Sequence, residues 1–373
     1  MNSSNAATGS FNPLIHDGHT YDFFYVIENK DINAGYVALI IYALNGVRRA
    51  LAQNALPVIV FGEKDTPFFY EASKGKSIWE YYFEPVSPVS YQQLKQWQQE
   101  GLVSDDLIHV NTREEAFDGH LHDEERLATY WAWKEPEDKV AWMEKKRAQG
   151  RAFVRRHLTV KPEFEQFADD FTKLHFTADY IIGVHARGTD FGYSDPVPLQ
   201  KFFDRIDQKV KEPGRSKFQI FLATDQTQFV REFEDRYPGL IITTDALRSS
   251  NHIAPFKKSG GSAFQKGADV LIDMILLARC DYILKGAAAV GEFALWLTDD
   301  DQEFHDFSHE CEFKNVKYHG IKSAYLTLNI KNKSKLGLMI QDRWETFNRF
   351  FYYVPFTRAI YHRFKWVRNI FKH

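Results

Sequence analysis

Cysteine and long apolar runs are both scarce in this chain of 373 residues. The two cysteines, Cys280 and Cys311, are too few for a disulfide framework and lack the paired C-x-x-C spacing of a zinc site, which favours a reducing compartment. No window reaches the roughly 18 uninterrupted apolar residues that a membrane-spanning helix needs. Residues 1–12 have neither the basic start nor the apolar stretch of a signal peptide. Together these absences predict a cytoplasmic protein.

A strong excess of charge of one sign is also missing, since 47 Lys and Arg stand against 50 Asp and Glu. The distribution is uneven, because residues 346–373 hold six Lys or Arg and no acid. Without those six, 41 basic residues face 50 acidic ones, a net charge of −9. An acidic body of this kind repels nucleic acid, so a nucleic-acid partner is not expected.

Apolar periodicity predicts two α/β lobes. Residues 21–28, 36–53 and 56–61 read as strand, helix and strand, a βαβ unit with a parallel sheet. Residues 114–176 read as a helical connector, after which a second alternating series begins. Its predicted strands are 180–185, 219–223, 240–243 and 282–284, and its predicted helices are 199–211, 227–237 and 267–278. This pattern is typical of an α/β enzyme with a cleft between two Rossmann-like lobes.

Two segments of the first lobe are candidate ligand contacts. Asn33 and Gly35 lie in the loop between the first strand and its helix, where glycine serves either a bound ligand or only the backbone. The aromatic run WEYYFEP contains Trp79, Tyr81, Tyr82 and Phe83. Buried packing is the favoured interpretation of this run, and stacking on an acceptor sugar is the alternative.

The most distinctive motif is His185-Ala186-Arg187-Gly188-Thr189-Asp190, placed where an apolar strand ends. An arginine there offers a planar set of donors suited to phosphate, and Gly188 lets a ligand approach the backbone. The alternative interpretation is a structural Arg–Asp pair at the end of the strand.

Two further groups of polar residues follow or interrupt apolar segments. Thr224 and Asp225 end a predicted strand, where they could bind a ribose or base, or Asp225 could cap the next helix. Asp269 and Asp273 are four residues apart and share one helix face. A buried carboxylate needs hydrogen-bond donors, which for Asp273 come from a ligand base or from the protein itself.

Three ordered motifs resemble the donor-binding lobe of the GDP-fucosyltransferase superfamily. They are H-A-R-G-T-D at 185–190, F-L-A-T-D at 221–225, and the helix with its following strand at 267–284. The superfamily includes α1,6-fucosyltransferases, rhizobial nodulation fucosyltransferases and protein O-fucosyltransferases, which have GT-B-like folds. The resemblance covers about residues 180–300.

This resemblance implies an inverting, metal-independent transferase that uses a nucleotide sugar, with GDP-fucose as the expected donor, and a glycan or glycolipid acceptor. It implies that Arg187 and His185 form the pyrophosphate loop, that Asp273 contacts the guanine, and that Asp195 occupies the position of the catalytic base. Asp190 is the alternative base, or else orients Arg187. No metal or other cofactor is implied.

The chain departs from the family pattern around the phosphate groups. The second arginine of H-x-R-R is Gly188, and the Ser-Ser-Gln run becomes Ala287-Ala288-Ala289 or its neighbours. Lys285 and backbone amides near Gly286 could compensate. A different GDP- or UDP-sugar, or a non-catalytic protein that binds glycans or nucleotides, therefore remains an alternative.

Three regions follow from these patterns: an acceptor-side lobe with the connector at 1–150, a donor lobe at 151–315 and an extension at 316–373. The end of the extension, 346–373, combines ten aromatic residues with six Lys or Arg. This composition is typical of peripheral contact with an anionic membrane surface, and packing of the aromatic residues on the first lobe is the alternative.

Overall fold

The computed structural model describes residues 12–31, 34–64, 66–117, 124–130, 136–189, 197–251, 253–258 and 260–310. Asn33, Asp190, Asp195 and residues 316–373 lie outside this part of the chain. The strands are β1 (Ile15–His16), β2 (His19–Thr20), β3 (Phe24–Glu28), β4 (Leu56–Val60), β5 (Ile108–Val110), β6 (Tyr180–Ala186), β7 (Phe218–Thr224), β8 (Ile241–Ile242), β9 (Tyr282–Lys285) and β10 (Glu303–Asp306). The helices are α1 (Tyr36–Ala52), α2 (Trp79–Tyr82), α3 (Tyr91–Gln99), α4 (Arg113–Phe117), α5 (Lys139–His157), α6 (Pro162–His175), α7 (Leu199–Lys209), α8 (Thr227–Arg236), α9 (Ala263–Ala278) and α10 (Ala289–Trp296).

The first lobe is built on a three-stranded parallel sheet in the order β4-β3-β5. Its strands are short, and all five residues of β4 are buried. Helix α1 packs on this sheet so closely that a Cβ on Gly46 would lie 2.7 Å from the Ile27 side chain. The predicted βαβ unit is therefore confirmed.

The second lobe is built on a five-stranded parallel sheet in the order β10-β9-β6-β7-β8. Its central strand, β6, is buried along all seven residues, as expected for a strand covered on both faces. The chain moves outward from β6 through β7 to β8, then crosses to the other side of β6 for β9 and β10. This is the doubly wound order, and its direction reverses between β6 and β9.

The two lobes meet through aromatic residues of α2 and α9. The rings of Tyr82 and Phe264 stack with centroids 5.3 Å apart, and the Tyr82 hydroxyl donates to the Phe264 carbonyl at 2.7 Å. Glu71 of the first lobe accepts a hydrogen bond from the backbone N–H of Phe264. The aromatic run at 79–83 is buried, so the packing interpretation of that run is confirmed.

Three arginines at helical spacing attach α5 to the second lobe. Arg147 contacts Glu292, Arg151 contacts Asp300, and Arg155 contacts Asp299. The expected boundary between residues 150 and 151 therefore lies inside one continuous helix that is fastened to the donor side. α5 and α6 make up most of the described part of 114–176, so this segment is largely helical, and its role as a connector between two domains stays a prediction.

Short strands account for most differences from the predicted elements. β10 is polar along its edge, with the sequence EFHD, and β5 contains only three residues, so neither shows apolar periodicity over enough residues. Among the described residues, no helix combines the length and apolar character needed to cross a bilayer.

Candidate donor-binding site

The candidate site lies where the strand order of the second sheet reverses. His185 and Ala186 end β6, and Lys285 ends β9 beside it, with His185 and Lys285 paired in register. Loops that leave neighbouring parallel strands on opposite sides open a crevice at their carboxyl ends. The described part of the motif, 185–189, and the run at 286–289 therefore lie at the same edge of the sheet.

Asp225 fixes the loop that follows β6. Its carboxylate accepts the backbone N–H of Gly188 at 2.7 Å and that of Thr189 at 3.3 Å, and it also accepts the Thr189 hydroxyl. Burial raises the pKa of Asp225, while the nearby Arg187 charge and these hydrogen bonds oppose that shift. Asp225 thus organises the phosphate-loop candidate, and the N-cap position of α8 is Gln226 instead.

Thr224 also serves the turn after its strand. Its buried hydroxyl accepts the backbone N–H of Gln226 at 3.2 Å. Contact with a ribose or base, the sequence prediction for Thr224, stays a prediction.

Gly188 is required by close packing against Gln226. A Cβ at position 188 would lie 2.2 Å from Cγ of Gln226, whose amide donates to the Asn251 carbonyl at 2.9 Å. The arginine that the family carries at this position would meet the same side chain.

Arg187 lies half-buried in the same loop. Its Nε donates to the Thr189 carbonyl at 3.0 Å, which holds the side chain against its own loop. Its charge lowers the pKa of His185 and opposes the rise in the pKa of Asp225. Arg187 therefore provides positive electrostatic potential where the strand order of the sheet reverses, as the binding of a diphosphate there would require.

His185 is buried and neutral. Burial, followed by the charges of Arg187 and Lys285, lowers its pKa to about 3. Its Nδ1 atom has no hydrogen-bond partner among the described residues. An imidazole in this state stays uncharged at neutral pH. The role that the resemblance implies for His185, in shaping the pyrophosphate loop, stays a prediction.

Lys285 is placed differently from the sequence prediction, which put it at the phosphates. Its ammonium is buried and lies 2.7 Å from Glu292 and 3.0 Å from Asp306, while Arg147 contacts the same two carboxylates. Burial opposes the Lys285 charge, but Asp306 and Glu292 outweigh it and raise the pKa. The Lys285 side chain is therefore engaged in the interior, and the polar groups that this run could offer to a ligand are its backbone amides.

Gly286 opens the run that follows β9. A Cβ on it would lie 2.9 Å from the Val197 side chain, so the loop passes close to the start of α7. Ala288 is the N-cap residue of α10 and has no side-chain capping bond. The first-turn amides of α10 therefore have no partner within the helix.

A further group of polar residues, centred on the Asp273 carboxylate, lies between α9 and the loop after β8. Asp273 accepts the Thr244 hydroxyl at 2.8 Å, and burial raises its pKa to about 7, with Thr244 and Arg248 opposing the shift. Arg248 donates to the carbonyls of Thr244 and Ala246, and its buried Nε has no partner in the described part of the chain. Asp269 accepts the Leu247 N–H at 3.1 Å. A site with a carboxylate and a guanidinium can read donors and acceptors on a planar base.

Gly35 is the N-cap residue of α1 and faces the second lobe. The nearest atoms to a Cβ there belong to Phe256, 3.8 Å away, so ordinary side chains fit at this position. Contact of Gly35 with an acceptor stays a prediction. Within the described residues, no group of three or more His, Cys, Asp or Glu side chains is arranged to hold a metal ion.

Residues 140–308 match the family model of nodulation protein Z (NodZ). This match confirms the resemblance to the GDP-fucosyltransferase superfamily over the lobe that carries the site. The NodZ-like segment begins at the second residue of α5 and ends at Ser308, just after β10. It contains the Arg187 loop, Asp225, Asp273 and the run after β9.

Similar solved structures are distant in sequence. The fucosyltransferase NodZ from Bradyrhizobium is 16% identical, with a TM-score of 0.45, over 78% of this chain and 98% of that one. POFUT1 in complex with GDP is 11% identical, with a TM-score of 0.46, over 78% of this chain and 100% of that one. No curated protein matches the chain. The likeness of residues 140–308 to NodZ therefore rests on the family model.

Several residues of the site were not singled out from the sequence. Gln226 and Arg248 follow strand ends, a position that could have marked them. Glu292 is an acid within the otherwise apolar helix AVGEFALW, which is the same signal that marked Asp273. Arg147 gave no such signal, because its partners lie 145 and 159 residues away.

Proposed function

We propose that this protein is an inverting, metal-independent glycosyltransferase that transfers fucose from GDP-fucose to a glycan or glycolipid. The observation that carries the proposal is the position of the Arg187 loop. It lies at the reversal point of a doubly wound sheet, inside the segment that matches the NodZ family model. Ligands of such sheets bind at the strand ends on either side of that point.

The donor diphosphate binds between the Arg187 loop and the run 286–289. Arg187 supplies a charged, planar set of donors, and the first turn of α10 supplies backbone amides and the positive end of its dipole. These groups stabilise the charge that develops as the diphosphate departs. A divalent cation is therefore not needed for leaving-group stabilisation in this proposal.

Asp273 recognises the guanine. Its carboxylate already accepts one hydrogen bond from Thr244, and an ionised carboxylate has acceptor capacity for further N–H donors. Guanine presents neighbouring N–H groups on one edge, whereas uracil presents a single N–H between two carbonyls. The carboxylate therefore favours a GDP-sugar over a UDP-sugar.

Transfer proceeds by a single displacement with Asp195 as the general base. The acceptor hydroxyl gives its proton to the carboxylate while its oxygen forms a bond to the anomeric carbon. The bond from that carbon to the diphosphate oxygen breaks, and GDP leaves with the electron pair. Because the oxygen attacks opposite the leaving group, the anomeric configuration inverts. Asp190 orients Arg187 in this scheme.

Thermal unfolding with GDP, UDP, ADP and CMP tests donor recognition. A ligand at 100 times its dissociation constant adds about 2.7 kcal/mol to stability, so GDP alone is expected to raise Tm clearly. A larger shift with UDP would favour a different donor. A GDP shift without release of GDP from any GDP-sugar, with or without glycan acceptors, would favour a non-catalytic binding protein.

Peripheral membrane contact through residues 346–373 is a separate proposal, supported by their basic and aromatic composition. Co-sedimentation with anionic and neutral liposomes at low salt tests it. The full chain is expected in the pellet with anionic lipid, and a chain ending at Glu345 in the supernatant. Equal recovery of both in the supernatant would contradict the proposal.

A further inference from the structure

A buried ion pair spans the run that follows β9. The Lys285 ammonium and the Glu292 carboxylate are 2.7 Å apart, and their side chains are 1% and 0% exposed. The six residues between them form the turn into α10 and its first residues. We propose that Lys285 and Glu292 are positioning residues, a clip that fixes the backbone amides of 286–290 in the geometry that binds the donor diphosphate. This inference rests on the proposed function.

The clip is held on both sides by further charges. Asp306 of β10 lies 3.0 Å from Lys285, and Arg147 of α5 donates from Nε and Nη2 to the two oxygens of Glu292. Arg147 also donates to Asp306 at 3.0 Å. The positive charges of Lys285 and Arg147 are thus balanced by the negative charges of Glu292 and Asp306. These four residues come from four different elements: β9, α5, α10 and β10.

Close backbone packing completes the arrangement. A Cβ on Gly291 would lie 2.8 Å from Cβ of Lys285 and 3.0 Å from Nδ1 of His185. The Phe307 N–H donates to the Lys285 carbonyl at 2.9 Å. The start of α10 is therefore packed closely against the ends of β6 and β9.

The sequence of the run explains why it needs such a clip. Ala287, Ala288 and Ala289 have no side-chain donors, so these residues can contribute only backbone N–H groups to the binding of an anion. Backbone donors bind a diphosphate well only when they are held in place before it arrives, because otherwise part of the binding energy is lost in ordering them. The Lys285–Glu292 pair holds these backbone N–H groups in place from the buried side of the run, so that neither side chain occupies the anion site.

A charge-balanced double variant, Lys285→Met/Glu292→Leu, separates this role from simple stability. It removes the clip but leaves the Arg147–Asp306 pair, and replacing a whole buried ion pair by apolar residues is often close to neutral for folding. We expect the folded double variant to bind GDP and inorganic pyrophosphate up to about 10²-fold more weakly in calorimetry, since small misplacements of binding groups have effects of that size. Amide hydrogen exchange at 287–290 in the ligand-free protein should be roughly tenfold faster or more.

Arg151→Met is the matched control, because Arg151 also joins α5 to the second lobe, through the Leu295 carbonyl and Asp300, but does not touch the clip. It should lower stability and leave GDP affinity and the exchange at 287–290 unchanged.

Unchanged GDP affinity in the folded double variant would overturn the inference, as would an equal loss of GDP affinity in Arg151→Met. If the double variant does not fold, Glu292→Gln, which keeps the shape of the side chain, must show the same two effects. Wild-type protein that binds neither GDP nor pyrophosphate would instead contradict the proposed function.

Discussion

The Asp225 carboxylate accepts the backbone N–H of Gly188 at 2.7 Å and thereby ties the end of β7 to the loop after β6. The two residues are 37 positions apart in the chain, so this bond exists only because β6 and β7 are neighbours in the sheet. It makes the conformation of the Arg187 loop dependent on a carboxylate that the ligand need not touch.

Asp225→Asn should therefore lower both stability and donor affinity. An asparagine can accept from only one oxygen, so one or two of the N–H and O–H donors at 188–189 lose their partner, at about 1–3 kcal/mol. Urea unfolding and GDP calorimetry measure the two effects. Asp281→Asn is the control, because Asp281 accepts the Ile181 N–H at the opposite end of β6. It should cost similar stability without weakening GDP binding, and an equal loss of GDP affinity in both variants would contradict this account.

Gly188→Ala should disturb the loop by collision with Gln226. The added Cβ would lie 2.2 Å from Cγ of Gln226, and overpacking of this kind typically costs about 1–3 kcal/mol. Unfolding free energies measure the loss, and the double variant Gly188→Ala/Gln226→Ala should recover part of it. Gly35→Ala, where the nearest atom is 3.8 Å away, should change little. No recovery in the double variant would show that packing is not what selects glycine here.

GDP affinity should rise with pH through the titration of Asp273. Burial raises its pKa to about 7, and binding of guanine N–H groups favours the ionised form, so the proton must leave before or during binding. Between about pH 6 and pH 8 the ionised fraction rises about tenfold, and the association constant should follow. Guanosine is a useful second ligand because it carries no phosphate that titrates in this range.

Asp273→Asn should bind GDP more weakly at high pH and lose this dependence, which would separate the carboxylate from any other titrating group. The same carboxylate affects folding in the opposite direction. Because its folded pKa lies above the unfolded value, its contribution to stability is largest at low pH and declines as pH rises from about 4 to 7. A GDP affinity that is independent of pH in the wild type would contradict the role of Asp273.

Asp195→Asn should leave GDP binding intact and depress transfer. A general base typically contributes about 10²–10⁴ to the rate, and its removal does not affect groups that hold the diphosphate. Calorimetry and single-turnover transfer measure the two effects. An active Asp195→Asn with a folded but inactive Asp190→Asn would assign the base to Asp190.

Regular elements and local motifs could be predicted from the sequence, because they depend on near neighbours. The apolar run of β6 and the helix α1 show periodicity over many residues, and the position of Arg187 after a strand end follows directly from it. Short or polar strands such as β10 and β5 leave no such trace. Their place in the sheets is decided by hydrogen bonds to β9 and β3.

Partners that are distant in the chain could not be predicted. Lys285 stands at a strand end, which suggests a ligand contact, but its ammonium meets the acids of α10 and β10 in the interior. Asp225 precedes a helix, which suggests a cap, yet its donors come from the loop after β6. In both cases the local pattern was correct about position, and the three-dimensional neighbours decided the role.

Glycosyl transfer from GDP-fucose is tested most directly by measuring GDP released from GDP-fucose with a panel of glycan acceptors, in the presence of EDTA. We expect turnover with EDTA, a fall in turnover of about 10²–10³ in Arg187→Ala, and inversion at the anomeric carbon of the product. Near wild-type turnover in Arg187→Ala, or activity that returns only on addition of Mg²⁺ or Mn²⁺, would contradict it.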